Sequence, residues 1–65
     1  MSNTGKDSLT MSVREMAAEL GVNAARGYEI ARIEGFPVIQ VGRRLIVVRE
    51  AFYKWVSDNA GKKII

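Results

Sequence analysis

A glycine-centred turn between two short helical patterns constrains this chain more than any other feature. Apolar residues recur at helical spacing over residues 11–20, Gly-Val-Asn follows at residues 21–23, and a second helical pattern covers residues 24–34. Glycine readily adopts the left-handed conformation that ends a helix, and asparagine is a good cap for the next one. Gly35 and Pro37 then end the second pattern. Two short helices joined by such a turn predict a helix-turn-helix.

The first helix is predicted to begin at Ser12. Ser12 followed three residues later by Glu15 is the pattern of a capping box, and Met11 can pack on Met16 as a hydrophobic staple. The apolar stripe that this helix would bury comprises Val13, Met16, Ala17 and Leu20. Because so short a helix is unstable alone, it needs a packing partner.

The second helix has a small inner face and a polar outer face. Its inner face is predicted to carry Ala24, Gly27, Ile30 and Ala31, and its outer face Ala25, Tyr28, Glu29 and Arg32. Arg26 lies on a flank. Ile33 is expected to point outward, where it would contact either the next segment or a partner protein. Glycine costs about 1 kcal/mol of helix propensity relative to alanine, so Gly27 indicates a close approach between helices.

The region from Phe36 to Val48 contains two β-branched runs around Gly42, which predicts a hairpin. A two-residue turn would set Val41 opposite Arg44, whereas a three-residue loop would set Val41 opposite Leu45. We favour the three-residue loop, because it gathers four apolar residues on the inner face. That face would consist of Ile39, Val41, Leu45 and Val47, with Val38, Gln40, Ile46 and Val48 outside.

A third helix is predicted from Arg49 to about Ala60, with Ala51, Phe52, Trp55 and Val56 as its apolar stripe. The polar residues 1–10 are expected to form a flexible arm in which Leu9 can dock on the core, and residues 61–65 to form a tail. Residues 11–60 are thus predicted to be an α+β domain, a small winged helix-turn-helix built from two helices, a two-stranded antiparallel hairpin and a C-terminal helix.

Composition narrows the possible functions. A chain of 65 residues has room for one small core, and it contains no Cys and no His. Disulfides, zinc sites of the usual kind and catalysis by Cys or His are therefore excluded, and we expect neither an enzyme nor a cofactor. No apolar run approaches the roughly 18 residues of a membrane span, so a cytoplasmic protein without membrane contact is expected. The net charge of +3 suits a polyanionic partner.

Arginines concentrate on the predicted protrusions of this fold, which favours double-stranded DNA as the partner. Arg43 and Arg44 at the hairpin tip suit the narrow minor groove or its flanking phosphates. Glu29 can accept from cytosine N4, although near phosphates it is repulsive. The predicted DNA-binding residues are Ser12, Arg14, Asn23, Ala25, Arg26, Tyr28, Glu29, Arg32, Arg43 and Arg44. The alternative for each is solvated surface, or for Ser12 and Asn23 a cap alone.

Several local motifs resemble one known family. The sequence has Leu-Gly-Val-Asn at residues 20–23, Tyr28, Phe-Pro at 36–37, Val-Gly-Arg-Arg at 41–44 and Arg-Glu-Ala-Phe at 49–52. In this order they resemble the small excisionase-type helix-turn-helix domains, which are related to the DNA-binding heads of MerR-like regulators.

The resemblance implies a recombination directionality factor of a phage or integrative element. Such a protein binds beside the recombination site, bends the DNA, helps a site-specific integrase to excise the element and performs no chemistry itself. We also expect this chain to self-associate cooperatively on DNA. The chain departs from the family pattern at Ala24, Ala25, Gly27 and Glu29, where larger apolar, basic or polar residues are usual, and at Val48, where Pro is usual. These departures place more weight on the hairpin and on DNA shape.

Two other functions stay open from the sequence. One is a small transcriptional regulator of a mobile element, which would also bind DNA. The other is a protein-interaction module that has lost DNA binding. It is motivated by three residues of the second helix, Ala24, Ala25 and Glu29, and by the apolar residues Ile33, Val38 and Ile46, which are predicted to face outward.

Overall fold

Three helices and a three-stranded antiparallel sheet form a small α+β fold in the computed structural model, which describes residues 9–65. The elements in chain order are β1 (Thr10–Ser12), α1 (Val13–Leu20), α2 (Ala24–Ala31), β2 (Val38–Val41), β3 (Arg44–Val48) and α3 (Arg49–Asp58). The sheet order is β1-β3-β2, so β3 is the central strand. Residues 1–8 of the predicted arm lie outside the described residues.

The start of α1 is as predicted. The Ser12 hydroxyl accepts from the Glu15 backbone N–H at 3.0 Å, and the Glu15 carboxylate accepts from the Ser12 N–H at 2.8 Å. Met11 and Met16 both lie in the buried core, as a hydrophobic staple requires. The chain therefore leaves β1 and enters α1 with no break, because Ser12 is both the last residue of the strand and the cap of the helix.

The turn between α1 and α2 is also as predicted, but α2 is shorter than expected. Gly21 has a φ of 76°, and the Asn23 side chain accepts from the Arg26 N–H at 2.8 Å. The helix ends at Ala31 instead of Glu34, because the chain tightens into successive turns after it. As a result Ile33 is half-buried against the core, so its predicted outward position is wrong.

The sheet contains one strand more than the predicted hairpin. Thr10 pairs with Val48 and Met11 with Val47, which places the end of the predicted arm at the edge of β3. The Arg49 N–H donates to the Leu9 carbonyl at 2.9 Å. The Leu9 side chain is 86% exposed, so its expected docking on the core is wrong. A three-residue strand in a polar stretch gives too little periodicity to be recognised from sequence.

The predicted hairpin register is wrong by one residue in β2. Val41 pairs with Arg44 and Val38 with Val47, so the loop is the two-residue turn Gly42-Arg43. Gly42 has a φ of 61° while no residue other than glycine in the described chain has a positive φ, which is the pattern of a type II′ turn. A shift of one residue exchanges the faces of a strand. Val38 consequently packs on the core, and the predicted inner residues Ile39 and Val41 are 50% and 53% exposed.

Aromatic side chains anchor α3 to the rest of the molecule. Phe52 is buried, and the Trp55 ring packs edge-on against Phe36 with ring centroids 4.7 Å apart. Both Phe52 and Trp55 were predicted on the apolar stripe, but its other two members, Ala51 and Val56, are exposed. The three helices, the sheet and the segment before β2 all contribute to the buried cluster, which comprises Met11, Val13, Met16, Ile30, Ala31, Phe36, Val47 and Phe52.

Candidate nucleic-acid interface

An open cleft of about 510 Å³ separates α2 from the β2–β3 hairpin. The two lining residues that are not exposed, Ala31 and Leu45, are apolar and form its floor, whereas the exposed lining residues are polar or cationic. The residues that line it are Tyr28, Ala31, Arg32, Gln40, Arg43, Arg44 and Leu45. The cleft therefore brings the exposed face of a helix and the tip of a hairpin to one surface.

The helix wall of the cleft follows from the way α2 packs. Gly27, Ile30 and Ala31 are buried on its inner face, which leaves Tyr28 and Arg32 exposed one turn apart. Tyr28 is 39% exposed, so its ring covers part of the helix while its hydroxyl can donate a hydrogen bond. The inner and outer faces of α2 agree with the periodicity of its sequence.

The hairpin wall depends on the two-residue turn. Arg43 occupies the second turn position and Arg44 is the first residue of β3. The Gln40 amide donates to the Gly42 carbonyl at 3.1 Å, which ties the end of β2 to the turn. Gln40 also pairs across the sheet with Leu45, so both contribute to the same wall.

The three arginines of the cleft carry uncompensated charge. No carboxylate in residues 9–65 lies within 4.0 Å of Arg32, Arg43 or Arg44. Arg26, on the same helix, differs because its guanidinium contacts the Glu29 carboxylate at 2.7 Å. The positive charge of this surface that is not paired with a carboxylate is consequently concentrated at Arg32 and at the hairpin tip.

A smaller cleft of about 220 Å³ shares Arg44 with the large one. It includes Ser12 and Glu15 at the start of α1, together with Ile46. The capping box occupies the Ser12 hydroxyl and both of the N–H groups that it joins. Fewer backbone donors are thus left for an anion at this helix end than the sequence alone suggests.

The ten predicted residues are all exposed, but the structure groups only some of them. Four of them, Tyr28, Arg32, Arg43 and Arg44, share the large cleft, and Ser12 joins Arg44 in the small one. The others line neither cleft: Asn23, Ala25, Arg26 and Glu29 lie in and before α2, and Arg14 lies in the first turn of α1.

Sequence reasoning missed Gln40 and the apolar floor of the large cleft. The predicted register, which is wrong by one residue, places Gln40 on the outer face of the hairpin, and the sequence pattern predicts only a core role for Leu45 and Ala31. The glycine at the first turn position was the available signal, since it favours a two-residue turn in which Gln40 faces Leu45.

Residues 9–65 contain no group of three or more His, Cys, Asp or Glu residues that could hold a metal ion. None of the helices there has the length and apolar character needed to cross a membrane. Comparison with known proteins gave no matching family model, no matching curated protein and no matching solved structure.

Proposed function

We propose that this chain is a DNA-binding architectural accessory factor with a winged helix-turn-helix fold. In this proposal α2 enters the major groove, and the β2–β3 hairpin is the wing, which contacts the adjacent minor groove. The helix-turn-helix is α1, the turn at residues 21–23 and α2. The order of elements and the exposed outer face of α2 support this assignment.

The large cleft, with its three arginines, is the single observation that carries the proposal. A protein that occupies neighbouring grooves must straddle the sugar-phosphate backbone between them, and the cleft lies between the two elements concerned. Three arginines line the cleft, and no carboxylate of residues 9–65 lies within 4.0 Å of Arg32, Arg43 or Arg44. Arginine forms strong, charge-assisted hydrogen bonds with phosphate, and the Tyr28 hydroxyl can add a neutral one.

The proposed biological role is excision of a phage or integrative element. The resemblance of its motifs to excisionase-type domains supports it. The protein would bend DNA beside the recombination site and assist a site-specific integrase in the bacterial cytoplasm. In this proposal several copies bind the DNA cooperatively.

Salt dependence of duplex binding tests the proposal directly. With roughly four to six phosphate contacts, a plot of log affinity against log salt concentration should have a slope of about −4 to −5. Fluorescence anisotropy with duplexes from the ends of the encoding element measures it. An affinity that does not change with salt, or no binding at low salt, would contradict DNA binding.

Excision and transcriptional control are separated by a functional assay. Integrase-dependent excision is measured with and without the chain. Transcription from a promoter of the same element is measured under the same two conditions. Excision that requires the chain supports the accessory role. Repression without any effect on excision would identify a regulator instead.

A protein-interaction module is the second candidate, because the hairpin carries exposed apolar residues. Ile39 and Val41 are 50% and 53% exposed, which is high for β-branched residues on one strand. Replacing Arg43 and Arg44 by Ala separates the candidates. Loss of duplex binding on substitution supports the DNA-binding proposal, whereas an equal lack of retention on duplex DNA by the wild type and the variant favours the module.

A further inference from the structure

Arg26 and Glu29 form an ion pair on the exposed side of α2. The guanidinium Nη1 lies 2.7 Å from the carboxylate Oε1, and the two side chains are 52% and 59% exposed. The neighbouring Ala25 is exposed and contributes only a methyl group. Because so exposed a pair adds little to stability, helix stabilisation is a weak reason for its presence.

The pair presents hydrogen-bond donors and acceptors side by side. Arginine has five N–H donors and a carboxylate has about four acceptor positions, so each side chain keeps further capacity after their mutual bond. The asparagine cap fixes the start of the helix through the Arg26 N–H, at 2.8 Å from Asn23 Oδ1. The two charged groups therefore project from a helix turn whose backbone is held in place.

A C·G base pair offers the matching pattern in the major groove. Guanine presents two acceptors, N7 and O6, and cytosine presents the N4 amine as a donor beside them. An A·T pair instead places its adenine N6 donor between two acceptors, which would repel a carboxylate. A guanidinium adjoining a carboxylate is thus complementary to C·G and poorly matched to A·T.

We propose that Arg26 and Glu29 act as one unit that reads a single C·G base pair. Arg26 donates to guanine, and Glu29 accepts from the N4 amine of the paired cytosine. The ion pair also offsets the repulsion between Glu29 and nearby phosphates. This inference rests on the proposed DNA binding, and it assigns base selectivity to the ion pair and backbone affinity to the arginines of the cleft.

Selection from a randomised duplex library followed by competition binding tests the inference. The wild-type chain should select C·G at one position. Glu29→Gln should weaken the preference for C·G over A·T by about tenfold, because a glutamine amide beside the pyrimidine can accept from cytosine N4 and can also donate to thymine O4. In the selected duplex, N4-methylcytosine or 7-deazaguanine at that position should weaken wild-type binding by roughly tenfold. N4-methylcytosine should not weaken duplex binding by Glu29→Ala, because this variant has no carboxylate to accept from N4.

A matched control is available on α3, where Lys54 and Asp58 form an exposed ion pair at 3.0 Å. Asp58→Asn makes the same charge change as Glu29→Gln and should leave the base preference as it is. Circular dichroism checks that the variants are folded. If both Glu29 variants keep the base preference of the wild type, the inference is overturned but the proposed DNA binding is not. Failure of the folded wild-type chain to retain any duplex overturns both.

Discussion

Gly27 of α2 lies directly against Ala17 of α1. A Cβ atom added to Gly27 would lie 2.6 Å from the Cβ of Ala17, which is closer than two non-bonded carbon atoms approach in proteins. Both residues are buried, so neither can turn away into solvent. The position of the DNA-facing helix in our proposal is thus set by a contact that only glycine permits at residue 27.

Gly27→Ala should destabilise the fold, although alanine is the better helix former. The helix gains about 1 kcal/mol in propensity, but overpacking costs about 1–3 kcal/mol and α2 must move. We expect a net loss of about 1 kcal/mol in the free energy of unfolding, measured by urea denaturation. The exposed Ala25→Gly is the control for propensity alone.

A compensating substitution gives the sharper test of the same contact. With Ala17 replaced by Gly, the next atoms near the added Cβ are 3.5 Å away, which is ordinary contact. The double variant Ala17→Gly, Gly27→Ala should therefore be more stable than the sum of its single variants predicts. Strict additivity would show that the two helices are not in the contact described.

Ser12→Ala should lower stability by about 1 kcal/mol, because it removes half of the capping box at the start of α1. Thermal unfolding by circular dichroism measures the loss. Ser57→Ala is the control, since Ser57 is exposed in α3 and is not a cap. Equal effects of the two substitutions would contradict the capping role. The comparison also shows how much of any loss in DNA binding by Ser12→Ala reflects stability alone.

These local features were predictable because their determinants lie close together in sequence. Ser12 and Glu15 are three residues apart, as are Asn23 and Arg26, so each hydrogen bond follows from a short motif. The outward positions of Tyr28 and Arg32 likewise follow from helical periodicity. Half of the large cleft was thus predictable before any tertiary contact was known.

The hairpin wall of the cleft was not predictable in the same way. Apolar residues occupy both faces of β2 and β3, so their pattern does not choose a register. The choice is made by packing, since Val47 is fully buried between β1 and β2 and pairs with Met11 and Val38. Strand β1 is three residues long and was invisible to periodicity.

Substitution at Gly42 tests the two-residue turn. Gly42 has a φ of 61° and no atom within 4 Å of an added Cβ, so strain comes from the backbone alone. Gly42→Ala should cost about 1–2 kcal/mol in the free energy of unfolding, because an L-residue resists the left-handed conformation. Chemically synthesised chain with D-alanine at this position should be at least as stable as the wild type. Equal stability of the L and D variants would contradict the turn.

Salt titration of single arginine variants can apportion the phosphate contacts of the proposed interface. Each arginine that binds a phosphate releases about one counterion, so its removal lowers the magnitude of the log-log slope by about 1. Arg32→Ala, Arg43→Ala and Arg44→Ala should each do so, since all three line the cleft. Lys54→Ala changes charge equally but lies on α3, and it should leave the slope nearly unchanged.

Arg26→Ala should alter base preference more than slope, because the charge of Arg26 is already paired with Glu29. A slope that falls equally for all five variants would show that only net charge matters, and that the cleft holds no particular phosphate.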